Sequence, residues 1–356
     1  MSKRGVAAGL WELDRLLRLH QLGFVAIWPL LGHAAVDGWS VRSLAGLLAA
    51  SFCFNTFGTL TNDVLHLALD RRDPFKADRW LVRGKIAPGQ VYLLAGLQIP
   101  IVAAVHLAAG FTPLSLVWIY AAFGGQGLYN LYCKACRVPP LAEAAEAAAA
   151  SALVMYGATA TGGVSTPIVW LTAAAGAAFI FLVNAFHSCL RDIEVEIACH
   201  QLTTPIWLGC TGVHQGAVHM SRAMTFYIGV WQSALVALSL AVAAQLSPED
   251  GSDPGTFAAV LAAGALSGGL LIVLHRIRKP AWDDVMRFHL GTVPVPIMLA
   301  FGPRVGAQGM VMLALVYLGP SLLIVCGRLT RASAAVPMDA LALNARRTRP
   351  DARSSS

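Results

Sequence analysis

The sequence predicts an all-α, polytopic membrane helical bundle of nine to ten transmembrane helices, and three observations carry that prediction. Of 356 residues, 56% are hydrophobic and only 13% charged, against about 25% charged in a soluble domain. Apolar stretches of about 17–25 residues, enough to cross a bilayer as helices, recur along the chain. Lysine and arginine gather in alternate loops, the pattern that membrane orientation leaves. The net charge of +7 therefore belongs to particular loops and the tail. No interleaved basic and aromatic surface points to nucleic acid.

The apolar stretches lie near 19–36, 41–61, 90–110, 113–131, 141–162, 166–189, 224–246, 256–275, 284–302 and 308–327. The first follows Lys3 and Arg4 without a signal-type cleavage site, so it is expected to stay as a span. The ninth is the weakest. Arg287 and His289 lie near its start, and Pro294 and Pro296 interrupt it, which predicts a broken or interfacial segment.

Basic residues collect before the first span (Lys3, Arg4, Arg15, Arg18) and after the second (Arg71, Arg72, Lys76, Arg79, Arg83, Lys85). They recur at Lys134 with Arg137, at Arg191 with Arg222, and at Arg276, Arg278 and Lys279. These loops are expected on the cytoplasmic side, and one intervening loop is acidic (Glu249, Asp250, Asp253). Arginines beyond position 327 favour an even number of spans. Residues 1–331 are expected to form one transmembrane domain, and 332–356, with little apolar periodicity, a disordered cytoplasmic tail. Cys133 and Cys136 form the sole CxxC, with no second pair to complete a zinc set, so they read as small apolar residues at a helix end.

Two acidic clusters interrupt this apolar pattern: Asn62, Asp63, His66 and Asp70, and Asp192, Glu194 and Glu196. Carboxylates near hydrocarbon are costly and mark function. Residues four apart share a helix face, so Asn62, His66 and Asp70 are expected on one stripe, and Asp192 and Glu196 on another. Four spans separate the clusters, which returns both to the same, cytoplasmic, face. Oxygen donors from two helices suit magnesium shared with substrate phosphates, and such ions make diphosphate a better leaving group. Lys76, Arg79, Arg191 and Lys134 lie beside or one loop from the acids, where basic groups would meet phosphate oxygens. For Arg83, Lys85 and Arg137 the positive-inside pattern is explanation enough.

With these residues in view, the chain resembles the UbiA-type intramembrane prenyltransferase superfamily over roughly residues 15–327. The family's Asn-Asp-x-x-Asp-x-x-x-Asp motif is met by Asn62, Asp63 and Asp70. Its following basic pattern is similar to the stretch from Asp70 through Arg71, Lys76, Arg79, Leu81 and Gly84. The second motif, Asp-x-x-x-Asp, is met by Asp192 with Glu196 in the last place, and the downstream Thr-Thr-Pro-x-x-Leu-Gly by Thr203 to Gly209. Arg18 resembles the arginine that opens the family's first helix, without its proline.

The resemblance implies a bundle around a central cavity. It also implies Mg2+ held by Asn62, Asp63, Asp70, Asp192 and Glu196, and diphosphate held by Lys76, Arg79, Lys134 and Arg191. The implied activity is transfer of a prenyl group from an isoprenoid diphosphate, through an allylic carbocation, to a small acceptor, commonly aromatic. Two departures stand out. His66 replaces the middle aspartate, where it could weaken a metal site, donate to diphosphate or face elsewhere, and Trp80 replaces a proline. They make a terpene cyclase on the same scaffold a second expectation, and a non-catalytic, transporter-like protein a third.

Tyr129, Tyr132, Tyr156 and Phe186 are candidate aromatic faces for the cation, with ordinary packing the competing use for each. Arg18, Asn184 and His187 are expected along the substrate cavity. Glu143 and Glu146, at the start of the fifth span, could bind or deprotonate an acceptor, although a helix N-terminus favours acids through its dipole alone.

Overall fold

Proline fixes where much of this bundle begins. Its locked φ and missing N–H suit the first helical turn, and α4 (Pro88–Ala109), α5 (Pro113–Leu131), α6 (Pro139–Thr159), α7 (Pro167–Leu182) and α11 (Pro254–Leu274) all start on one. Side-chain caps supplement it: Ser40 accepts from the Ser43 amide at 3.0 Å, and Asp253 accepts from the amide of Gly255, also at 3.0 Å.

The computed structural model describes residues 14, 16–72, 76–77, 79–132, 138–214, 216–246, 253–279 and 281–332. The remaining elements are α1 (Leu22–Ala34), α2 (Val41–Leu65), α3 (Leu67–Asp70), α8 (Ile193–Ala198), α9 (Thr204–Trp207), α10 (Arg222–Leu246), α12 (Ala281–Thr292), α13 (Val295–Ala300) and α14 (Gly302–Ala332). A 3-10 turn, Leu19–Gln21, precedes α1. An antiparallel hairpin of β1 (Gly212–His214) and β2 (Ala217–His219) pairs Val213 with Val218. The α7 helix runs directly into a π-helical segment, Val183–Cys189.

Each of the ten apolar stretches coincides with helix. The ninth is divided between α12 and α13, and Pro294 stands at the break, as its proline content predicts. Among the described residues, six helices are long and apolar enough to cross a membrane: α2, α4, α7 with its π segment, α10, α11 and α14 as far as Leu322. Their outward faces carry exposed leucines and valines, among them Leu93, Leu107, Leu261, Val311 and Leu315. Such faces suit lipid. The tail from residue 333 onward, and Cys133, Lys134, Cys136 and Arg137, lie outside the described residues.

The short α1 is the centre of the bundle. Every residue from Ala26 to Ala34 is buried, and the helix packs against α2, α6, α7 and α14. The contact with α6 is closest. A side chain on Gly32 would strike the Val154 carbonyl, and one on Gly157 would strike that of Pro29, so each helix lays a glycine against its neighbour's backbone. Small residues at helix crossings give membrane bundles their tight packing, because lipid supplies no hydrophobic drive between spans. Trp28 and Phe179 meet beside this crossing with ring centroids 5.2 Å apart.

Candidate active site

The two acidic clusters meet at one end of the bundle, stitched together by cations. Asp63 pairs with Arg18 and, at 3.2 Å, with Arg79. Arg79 also reaches Asp70 at 2.8 Å. Lys76 bridges the clusters, with its Nζ 3.1 Å from Asp70 and 3.8 Å from Asp192. Arg191 forks onto Asp192 at 2.8 and 3.3 Å. Thr203 donates to Glu196 at 2.7 Å, which gives the Thr-Thr-Pro stretch a local role in aiming that carboxylate.

Four carboxylates, Asp63, Asp70, Asp192 and Glu196, thus share a cap with four cations, Arg18, Lys76, Arg79 and Arg191. Burial pushes the Asp192 carboxyl up, but the Arg191 fork and the nearby Lys76 hold it below the usual carboxylate range. Burial and the adjacent Arg18 guanidinium draw Arg79 below the usual arginine value. Arg18 adopts a left-handed backbone (φ 46°), and from this turn its side chain reaches Asp63. A non-glycine residue held in that region marks a constrained position.

Beneath the cap lies a cavity of about 380 Å³. Its mouth is polar, with Asn62, His66, Asp70, Lys76, Asp192 and Glu196 at its surface. Its depth is apolar, with Phe24, Trp28, Phe54, Leu153 and Phe179. One wall carries a second polar group. Glu143 accepts from Tyr227, Glu146 accepts from Asn184, and Asn184 also bonds Tyr129. His187 lines the same cavity and continues away from it in a buried chain. Its Nε2 meets His289 Nδ1 at 3.0 Å, and His289 Nε2 meets Ser267 at 3.2 Å.

A profile of the UbiA prenyltransferase family matches residues 23–291. The chain belongs to that family. No curated protein sequence matches it, and its structural neighbours are distant in sequence. The apo UbiA homologue from Aeropyrum pernix K1 superposes with a TM-score of 0.57 at 20% identity, covering 83% of this chain and 96% of the other. A digeranylgeranylglyceryl phosphate synthase gives 0.58 at 14% identity, covering 83% and 98%. A UbiA homologue from Archaeoglobus fulgidus bound to GPP and Mg2+ gives 0.54 at 14% identity, covering 82% and 99%. These likenesses establish the UbiA fold.

Within that fold most of the residues singled out from the sequence converge. Asn62, Asp70, Lys76, Arg79, Arg191, Asp192 and Glu196 all line the cavity, as do Arg18, Tyr129, Asn184 and His187. Asp63 is set one layer back, 6% exposed beneath Arg18 and Arg79. Lys134 lies outside the described residues. His66 lines the mouth, but not on an unbroken stripe. The α2 helix ends at Leu65, His66 has φ −96° and ψ 10°, and α3 resumes at Leu67. The bonds from His66 N–H to Asn62 O (3.0 Å) and from Asp70 N–H to His66 O (2.8 Å) preserve the spacing across the break.

Three of the four candidate aromatic faces are displaced. Tyr132 points outward at 69% exposure. Tyr156 is buried against Phe111 and His106, and Phe186 against His187 and His289, so neither is a cavity face. The rings that do line the depth, Phe24, Trp28, Phe54 and Phe179, went unread. Phe24 and Trp28 are four apart on α1, which signals a shared face but not which way it turns.

Among the described residues, no three His, Cys, Asp or Glu side chains form a ready metal cluster. Cations stand between the carboxylates instead. The donor set is nonetheless chemically apt for a hard ion, since Asn62, Asp63, Asp70, Asp192 and Glu196 all present oxygen at one cap.

Proposed function

We propose that this chain transfers a prenyl group from an isoprenoid diphosphate to a small acceptor, with its reaction cap on the cytoplasmic face. The observation that carries the proposal is the alternation of carboxylates and cations across the mouth of an aromatic-lined cavity. Mg2+ would be held by Asn62, Asp63, Asp70, Asp192 and Glu196, and would supply neutralisation of charge on the departing diphosphate.

The chain's own residues do the rest. Lys76, Arg79 and Arg191 exchange carboxylate for phosphate oxygens, with Lys134 the further candidate in the next loop, and so orient the diphosphate over the mouth. Withdrawal of Arg79 leaves Asp63 paired with Arg18 alone. The isoprenoid tail lies against Phe24, Trp28, Phe54 and Phe179. As the C1–O bond breaks, its electron pair leaves with diphosphate, and the aromatic faces stabilise the allylic cation while excluding water. The neighbour holding GPP and Mg2+ supports the pairing of this fold with such a ligand.

Cyclisation of the prenyl chain is the competing chemistry, and the four rings around the cavity depth suit it too. Membranes containing the protein, given Mg2+ and farnesyl or geranylgeranyl diphosphate, separate the two. A prenyl transferase makes product only when an acceptor is added. A cyclase makes hydrocarbon from the diphosphate alone. Absence of diphosphate release under both regimes contradicts the proposal.

A further inference from the structure

Arg18 reaches the mouth of the cavity from a backbone that an L side chain seldom adopts. Its φ of 46° and ψ of 50° are left-handed, where Cβ crowds the following carbonyl. A residue keeps such a conformation only where its surroundings over-determine it. Here they come from several parts of the chain. Arg18 N–H donates to Asp14 O at 2.7 Å, and Gln21 N–H donates to Arg18 O at 2.8 Å. Asn55 of α2 donates from Nδ2 to Leu17 O at 2.9 Å, and Ser321 of α14 donates from Oγ to His20 O at 2.8 Å. Leu16 and Leu17 pack against the buried cluster of Leu60, Leu81, Val91 and Ala95.

Asp14 completes the brace from within. Its Oδ1 accepts from His20 N–H at 3.0 Å and from His20 Nδ1 at 2.9 Å, since a carboxylate oxygen only accepts. Asp14 is 2% exposed and does not line the cavity, and burying a carboxylate is costly unless its partners repay it. Those partners straddle Arg18: the Asp14 carbonyl holds residue 18 itself, and the side chain holds residue 20. Beyond the turn, Arg18 Nη2 pairs with Asp63, and the side chain lines the cavity. A long side chain fixed at its root loses less freedom when it meets a ligand.

We infer that Asp14 is a positioning residue for the diphosphate end of the site, acting through Arg18. This inference rests on the prenyl-transfer reading. Asp14 holds the turn at 17–21 in its left-handed form, and the turn fixes the guanidinium at the mouth, with bonds to α2 on one side and α14 on the other. Asp14 touches no substrate atom and takes part in no bond change; its effect is on capture of the diphosphate. Without the brace, residue 18 relaxes to an ordinary backbone conformation. That moves the root of the side chain and draws the guanidinium away from Asp63.

The test is a double-mutant cycle on the full chain in membranes, with Mg2+ and geranylgeranyl diphosphate, reading diphosphate release. Asp14→Ala should raise the KM about tenfold, the scale of one lost hydrogen bond to a charged group, with kcat within about twofold. In an Arg18→Ala background the same change should move KM by less than about twofold, because the group it positions is gone. Ser321→Ala loosens the turn from α14. It should raise KM about threefold, the scale of a neutral hydrogen bond, and only while Arg18 is present, so the test stands even if Asp14→Ala does not fold. Equal KM increases with and without Arg18 overturn the inference. So does a fall in kcat at unchanged KM, the signature of fewer folded molecules, and so do unchanged kinetics in both Asp14→Ala and Ser321→Ala. Those results leave prenyl transfer standing, whereas no diphosphate release from the unmodified protein removes the transfer reading and this inference with it.

Discussion

His66 occupies the position between Asn62 and Asp70 where a third carboxylate would complete the first cluster, and it faces the cavity mouth. Imidazole is a poor magnesium ligand beside a carboxylate. His66→Asp is therefore expected to lower the Mg2+ concentration for half-maximal diphosphate release, by about tenfold if one added ligand contributes about 1.4 kcal/mol. A magnesium titration of the two proteins checks this. Arg18→Ala removes a partner of Asp63 at the rim and is expected to raise the KM for prenyl diphosphate more than it lowers kcat, as steady-state kinetics would show. At this scale the sequence was informative wherever chemistry and spacing coincide: both acidic clusters and Lys76, Arg79 and Arg191 could be picked out because each lies within one or two turns of an acid. Tyr227 could not, since it reaches the site from a helix with no motif of its own, and neither could Phe54 and Phe179, since phenylalanine is ordinary in any apolar span.

The elements supply the site's shape through local irregularities. The break at His66 ends α2 and lets Asp70 face the mouth from α3. The π-helical segment Val183–Cys189 carries Asn184 and His187 into the cavity wall, and such wide turns recur at functional sites. The apolar stretches located every long helix, including the proline-broken ninth, but not the short α3, α8 and α9, and they do not reveal a π segment or a one-residue break, because neither changes which residues are apolar. The Gly32 and Gly157 crossing was likewise unread, since small residues fill much of α6. Gly157→Leu forces a side chain into the Pro29 carbonyl. Its expected cost is about 1–3 kcal/mol or more, measured as a lower unfolding midpoint in detergent, with Gly124→Leu, where a side chain meets open space, as the near-neutral control.

For the whole molecule, loop charge and span counting placed two motifs more than a hundred residues apart on one end of the bundle, and Lys76 standing between Asp70 and Asp192 joins them there. Orientation follows from the same reasoning. A cysteine introduced at exposed Arg72 should label only from the cytoplasmic side, and one at Asp253 in the acidic loop only from the other. The reverse pattern would invert the proposed topology. What the sequence could not show was the volume enclosed, because cavity depth depends on how α1, α6 and α7 pack rather than on any one of them. The central claim is that the two clusters act as one centre on a prenyl diphosphate. Magnesium-dependent release of diphosphate from geranylgeranyl diphosphate, measured for the unmodified protein and for Asp70→Asn and Asp192→Asn, tests it most directly. Each substitution alone should reduce release by about a hundredfold or more, the scale expected when one preorganised charge contact is lost, and turnover unchanged in both would contradict the account.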